Sequence, residues 1–174
     1  MIKIIDDFFE DEDLKKIQDF ALNKAHYVPK FFFDTAEKTK ENFYGNKWHL
    51  DDDQDLKKLF IKQAELKFKL KINHIASASG IDQRNLDHWK PHQDKFKEIK
   101  TNILIMLSGP TAVSNGTVFY YGTLDDCVLD IHVGFRENRA ILFPSDWIHS
   151  PHVSNVPNLK RYTASLFLID YEEV

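Results

Sequence analysis

The sequence predicts an α+β chain: two N-terminal helices packed on one sheet of a β sandwich or jelly roll. Three observations carry this. Apolar residues recur at helical spacing in two stretches before residue 72. From residue 75 onward short β-rich runs succeed one another, broken by Gly, Pro and Asn. The 14 Phe and 3 Trp supply bulky side chains for such a core. At 174 residues a single domain over 1–174 is expected, with helical support over about 8–72 and a β core over about 75–171.

Ile2, Ile4 and Ile5 read as a short first strand. A helix is predicted from Glu10 or Asp11 to about Asn23. Leu14, Ile17, Phe20 and Ala21 share a face there, and acidic residues gather at the start, where the helix dipole favours them. Residues 27–33 are aromatic-rich and predicted extended, whereas 35–47 are polar, contain Gly45 and read as a loop. The run Asp51-Asp52-Asp53-Gln54-Asp55 lacks the spaced Asp/Asn, Gly and terminal Glu of a calcium loop. It reads instead as the cap and first turn of a second helix ending near Lys71, with Leu56, Leu59, Phe60, Ala64, Leu66 and Phe68 on its apolar side. Strands are predicted over 75–79, 85–92, 101–107, 117–121, 128–133, 140–143 and 161–169.

The net charge of −4 argues against general nucleic-acid binding, which needs a basic excess. The single Cys127 leaves no intrachain disulfide to form and points to a reducing compartment. With no signal-like N-terminus and no apolar run of membrane-spanning length, a cytoplasmic protein without membrane contact is expected. Nothing in the chain speaks to oligomeric state.

The chemistry concentrates in His92-Gln93-Asp94. On an extended strand residues i and i+2 project to one face, roughly 6.5 Å apart along the chain, so both side chains can reach one atom. A third donor is available far downstream in Phe143-Pro144-Ser145-Asp146-Trp147-Ile148-His149. Two imidazoles and a carboxylate on one face leave open positions, which suits a non-haem Fe(II) oxygenase. Arg161 and Thr163 share a face of the last strand, while Tyr162, Ala164 and Leu166 take the other. A guanidinium inside a barrel is costly unless it meets an anion, and its planar fork suits a carboxylate; the alternative is a solvated cation at a strand edge.

The order His92-x-Asp94, His149, Arg161-x-Thr163 resembles the 2-oxoglutarate- and Fe(II)-dependent dioxygenases, particularly their small prolyl-4-hydroxylase-like branch of bacteria and phages. Ile4-Ile5-Asp6-Asp7-Phe8-Phe9 before an acidic helix is similar to that branch's opening. Asn115-Gly116-Thr117-Val118-Phe119 resembles its Gly-Gly-x-x-x-Phe turn, and Asn138-Arg139-Ala140-Ile141-Leu142-Phe143-Pro144-Ser145 the strand leading to its distal histidine. The resemblance implies a double-stranded β-helix and makes His92, Asp94 and His149 the iron ligands. It assigns Arg161 to the remote carboxylate of 2-oxoglutarate, with Thr163 adding a hydroxyl. It implies Fe(II), 2-oxoglutarate and O2, allows ascorbate, and predicts oxidative decarboxylation to succinate and CO2 coupled to hydroxylation. Asp94 stands where halogenating members carry a small residue, so hydroxylation is expected.

The chain departs from the pattern in places. His149 precedes Arg161 by twelve positions, where roughly ten is usual, and His152 by nine; the Phe-Pro-Ser frame favours His149 over His152. No tyrosine stands where one often binds the cosubstrate; Trp89 is there, and Asn102 or Tyr120 are the candidates for that polar role. Trp89 and His88 are candidates for the substrate mouth, and 35–47 and 95–100 for a lid. The competing readings are a non-catalytic cupin-like binding module and a cupin using another divalent metal. A peptidyl prolyl or other residue and a small metabolite are all open as substrate.

Overall fold

A computed structural model describes residues 1–31, 43–85, 91–95, 98–112, 115–152 and 160–174. In chain order the elements are β1 (Lys3–Ile5), α1 (Asp11–Asp19), β2 (Val28–Phe31), β3 (Phe43–His49), α2 (Gln54–Phe68), β4 (Leu70–Ile75) and β5 (Gly80–Asn85). Then come β6 (Thr101–Ser108), β7 (Gly116–Gly122), β8 (Cys127–Gly134), β9 (Arg139–Pro144), β10 (His149–Pro151) and β11 (Lys160–Glu173). The strands make two sheets, antiparallel in every recorded pair. The larger runs β1-β9-β6-β11-β5-β3-β2, with β4 also on β11, and the smaller runs β10-β7-β8. This is a mostly antiparallel jelly-roll arrangement with two α-helices.

Strand alternation sorts the layers. On the outer face of the large sheet, Ile81, Ile103, Ile105, Ala164 and Leu166 join Ile17 of α1 and Phe60, Ala64 and Phe68 of α2 in one buried cluster. Each buried Ile, Leu or Phe of this cluster contributes about 1.5–3 kcal/mol. Phe9 packs edge-on against Phe8 and Phe60, with ring centres 4.8 and 5.1 Å apart. On the inner face, Leu104, Met106, Ile141 and Phe143 meet Phe119, Val133 and Phe135 from the smaller sheet and the turn after β8. The inner space between the sheets holds the candidate site.

Asp53 caps α2, its Oδ1 accepting the amides of Asp55 and Leu56 at 3.0 Å, so the acidic run is a helix start as predicted. Several boundaries differ from the sequence reading. α1 passes into a π-turn over Phe20–Lys24, where the amide of Ala25 bonds the carbonyl of Phe20. α2 stops at Phe68 rather than Lys71 because Lys69 takes the left-handed conformation that releases the chain into β4. Of the strand predicted at 75–79 only Ile75 is extended, as the end of β4; 76–79 form a turn, closed by the Ser79 amide on the Ala76 carbonyl. In the predicted loop 35–47, residues 43–47 belong to β3; 32–42 lie outside the described residues. The polar character of β3 reflects what it faces: Lys47 is buried against Asp82 of β5. β2 and β3 therefore separate the two helices in sequence, and residues 8–72 are not a purely helical block. Gly80 lets β5 pass under β3, since a Cβ there would lie 2.0 Å from the Trp48 carbonyl oxygen.

Candidate metal centre

His92 and His149 are joined through their backbones. Each amide donates to the other's carbonyl at 2.9 Å, so the segment carrying His92 and Asp94 lies antiparallel beside β10. Gln93 adds a side-chain bond to the carbonyl of Asp146. β10 is held in turn on β7, with His149 opposite Phe119. Of the predicted strand 85–92, Asn85 is the last residue of β5, whose body at 80–84 was not predicted, and His92 makes only this bridge; residues 86–90 are not among those described.

Ligand atoms of His92, Asp94 and His149 all lie within 4.8 Å of one another, the one such three-residue cluster among the described residues. His149 Nε2 is 3.3 Å from Asp94 Oδ2 and His92 Nε2 is 3.8 Å from Oδ1, so both Nε2 atoms face the carboxylate. The Trp147 carbonyl lies 2.9 Å from His149 Nδ1 and can only accept, which puts the proton on Nδ1 and leaves the Nε2 lone pair for the centre. Phe143 meets the His149 ring edge-on at 4.8 Å and keeps that side dry. Asn102 Nδ2 donates to Asp94 Oδ2 at 2.7 Å. Burial pushes the Asp94 carboxyl up, but His149, His92 and the Asn102 amide outweigh it and hold it well below the ordinary carboxylate range. Two imidazole nitrogens and a carboxylate oxygen gathered about one point are a donor set that fits Fe(II) with open positions.

The centre shares a small cavity with Thr117, Arg161, Ser165 and Phe167. Arg161 is 1% exposed on a central strand, which excludes the solvated-edge alternative, while neighbouring Lys160 is exposed. Its Nη1 donates to the Gly116 carbonyl and lies 3.4 Å from Asn115 Oδ1. Gly116 lets β7 lie close against β8, since a Cβ there would meet Val133 O at 2.4 Å. Thr163 shares the inner face with Arg161. The buried hydroxyls of Thr163 and Thr117 and the Asn102 Oδ1 have no hydrogen-bond partner among the described residues. A cationic fork with unmatched hydroxyls nearby fits a carboxylate ligand arriving between the sheets.

Two other predicted residues lie elsewhere. His152 packs its ring 4.9 Å from that of His132, and its amide bonds the Gly116 carbonyl; it is not in the three-residue cluster. The Tyr120 hydroxyl bonds Ser150 Oγ at 2.9 Å, and Ser150 alternates with His149 along β10, so Tyr120 points away from the cavity. Asn102, predicted for the cosubstrate, reaches Asp94 instead. His88, Trp89 and most of the connection 153–160 lie outside the described residues, as do Phe96 and Lys97 of the predicted lid 95–100. The sequence reading missed Lys47, Asp82 and Arg84, buried inner-face residues of β3 and β5. Their signal was the alternation of Asp82 and Arg84 with Ile81 after Gly80, which marks a two-faced strand.

No protein-family model matches the chain, and no curated protein matches it in sequence. Solved structures do. A prolyl hydroxylase from Trichoplax adhaerens, in complex with a hypoxia inducible factor peptide fragment, aligns at a TM-score of 0.66 and 14% identity over 97% of this chain and 83% of that one. A Pseudomonas putida prolyl-4-hydroxylase aligns at 0.63 and 11% identity over 96% and 92%. The non-heme alpha ketoglutarate dependent epimerase SnoN from nogalamycin biosynthesis aligns at 0.61 and 8% identity over 98% and 79%. The fold of this chain is thus that of the 2-oxoglutarate- and Fe(II)-dependent oxygenases, prolyl hydroxylases among them.

Proposed function

We propose that the chain is a 2-oxoglutarate-dependent Fe(II) dioxygenase acting as a hydroxylase. In this reading residues 1–174 form one unit on a double-stranded β-helix, with both helices on one sheet. The observation that carries the reading is the convergence of His92, Asp94 and His149 within 4.8 Å, in a cavity that also holds the buried Arg161.

In this reading Fe(II), 2-oxoglutarate and O2 supply the chemistry: one oxygen atom enters a substrate C–H bond as hydroxyl, and the other goes to succinate as CO2 leaves. The chain positions and protects. His92, Asp94 and His149 hold the ion from one side, with Trp147 O fixing the His149 tautomer and Asn102 orienting the Asp94 carboxylate. Arg161 receives the far carboxylate of 2-oxoglutarate, and the Thr163 and Thr117 hydroxyls offer the further donors that a dicarboxylate accepts. Phe143 packs on the His149 ring and Leu104 lines the cavity, so both would limit water beside a bound ion. A carboxylate at the Asp94 position favours hydroxylation over halogenation. The half-buried free thiol of Cys127 suits a cytoplasmic setting, and no described helix is long and apolar enough to cross a membrane.

The test is anaerobic titration of the apo-protein with Fe(II) and 2-oxoglutarate, following the visible charge-transfer band of chelated iron. The band forms in the wild type, vanishes in Asp94→Ala, and needs about 30-fold more 2-oxoglutarate, or beyond, in Arg161→Gln. No band, together with no 2-oxoglutarate binding by calorimetry, refutes the proposal in favour of a binding module.

A further inference from the structure

Four large apolar side chains of the β7–β8 hairpin stand in solvent within nine residues: Tyr121, Leu124, Val128 and Leu129 are 79%, 51%, 67% and 52% exposed. Apolar residues exposed singly are ordinary on a protein surface, whereas such a concentration marks a place that something covers. Tyr121 and Val128 are register partners, as are Tyr120 and Leu129, so the two pairs take opposite faces of the hairpin. Tyr121 stands two positions past the buried Phe119 on the same face, so the hairpin runs out beyond the core. Val128 and Leu129 therefore expose apolar surface on both faces of β8.

β8 is also the end strand of the smaller sheet, with β7 on one side and, among the described residues, no strand on the other. Thr123 and Asp126 exchange backbone bonds at 3.0 and 3.2 Å. Alternation from that pair turns the amides and carbonyls of Cys127 and Leu129 away from β7. The regular run ends at a bulge, where Phe119 faces Ile131, Tyr120 faces Leu129 and Asp130 is left over. A partner laid flat covers one face of a strand. An added strand covers both, because its own side chains alternate while its backbone bonds the open edge. Charge selects what is added. From Gly116 to Phe135 the chain has three Asp and no Lys or Arg, and Asp125, Asp126 and Asp130 are all exposed. A second copy is a poor occupant. Pairing two β8 edges in the register that uses both outward residues of each sets Asp126 of one copy opposite Asp130 of the other, and like charges across a strand pair repel.

We infer that the open edge of β8 docks an extended polypeptide segment that carries apolar and basic residues together. Such a segment lies three strand spacings from β10, about 14 Å, so its docking needs neither metal nor 2-oxoglutarate and the inference stands apart from the dioxygenase reading. Its test is fluorescence anisotropy on the whole chain with three labelled twelve-residue peptides: alternating Val and Lys, alternating Val and Glu, and alternating Ser and Lys. The Val–Lys peptide binds about tenfold or more tightly than either of the others, and added salt weakens it. Val128→Lys weakens that binding about tenfold or more. Leu129→Pro, which removes an outward amide and no bond to β7, weakens it further than Leu129→Ala does. Val128→Lys, at a side chain already two-thirds exposed, carries the test should Leu129→Pro not fold. Equal binding of the three peptides overturns the inference, and so does wild-type affinity for the Val–Lys peptide in Val128→Lys. A dimer in sedimentation that Val128→Lys dissociates, with no peptide bound, also overturns it, by giving the edge to a second copy.

Discussion

Replacing Asn102 by Ala tests the metal centre at its most isolated support. Among the described residues Asn102 makes one side-chain bond, from Nδ2 to Asp94 Oδ2 at 2.7 Å, and its buried Oδ1 has no partner there. Truncation therefore removes a single charge-assisted contact and a polar atom that gains nothing from burial. A hydrogen bond to an ionised acceptor is worth about 1.5–3 kcal/mol. If Asp94 binds the ion in the orientation that the amide imposes, divalent affinity falls by about 10- to 100-fold, the range seen when outer-shell partners are lost. Apo-protein stability changes by less than about 1 kcal/mol, because the two losses oppose each other. Anaerobic Co(II) titration gives the affinity, and urea denaturation of the same apo samples gives the stability. A Co(II) affinity within about twofold of wild type would refute the reasoning, since Asp94 would then need no orienting partner. Weaker binding with an equally large loss of stability would refute it too, by making Asn102 a general packing residue.

Two further outcomes follow from contacts that link the N-terminus to the β core. Asn138 holds φ at 66° and bonds both backbone groups of Phe9 at 2.8 Å through its side chain. Asn138→Gly is expected to lose about 2–3 kcal/mol of stability and Asn138→Ala about 1 kcal/mol more for the left-handed backbone, read by chemical denaturation; a Gly variant as stable as wild type would discard the bonds. The Arg139 hydrogen bond, opposed by burial and aided by the charges of Arg139 and Arg136, holds the Asp6 carboxyl below its ordinary value of 3.8. A depressed folded value adds stability that is present above the unfolded value and lost as pH falls below about 5. Asp6→Asn therefore flattens the acid side of the stability curve by about 0.5–1 kcal/mol, and an unchanged slope between pH 5 and 3 would exclude the pair as its source.

The parts of the fold that the sequence disclosed are those where one physical demand dominates. β11 reads Arg-Tyr-Thr-Ala-Ser-Leu-Phe-Leu, and its central place leaves both faces buried, so the helix-side residues are apolar and a cavity-side cation stands out. His92 and Asp94 were legible because i and i+2 spacing survives in any extended segment, and His149 because a strong apolar strand precedes it. β3 was hidden because its inward residue is a lysine. Charge on a strand ordinarily marks the solvent face; here the apolar face of β5 points to the helices and the charged one into the protein. The turn at 76–79 was hidden because Ile75-Ala76-Ser77-Ala78-Ser79 offers no Gly or Pro before Gly80 and closes through backbone bonds that composition does not encode.

The same inversion separates what the fold explains from what it leaves to the site. An inner face lined entirely like its β6 and β9 half, with Leu104, Met106, Ile141 and Phe143, would close the two sheets as an apolar sandwich and need no ligand. The β3, β5 and β11 half instead carries Lys47, Asp82, Arg84, Arg161 and Thr163, all buried. Burying that many charged groups costs stability that apolar side chains of similar volume would not. Arg84 and Arg161 of that half line the same cavity as the His92, Asp94 and His149 cluster, so the asymmetry is understood as the part of the core that ligands complete. On this argument saturating 2-oxoglutarate with Mn(II) raises Tm in the wild type and does so much less in Arg161→Gln, because the ligand supplies the anion that this half of the core is built around.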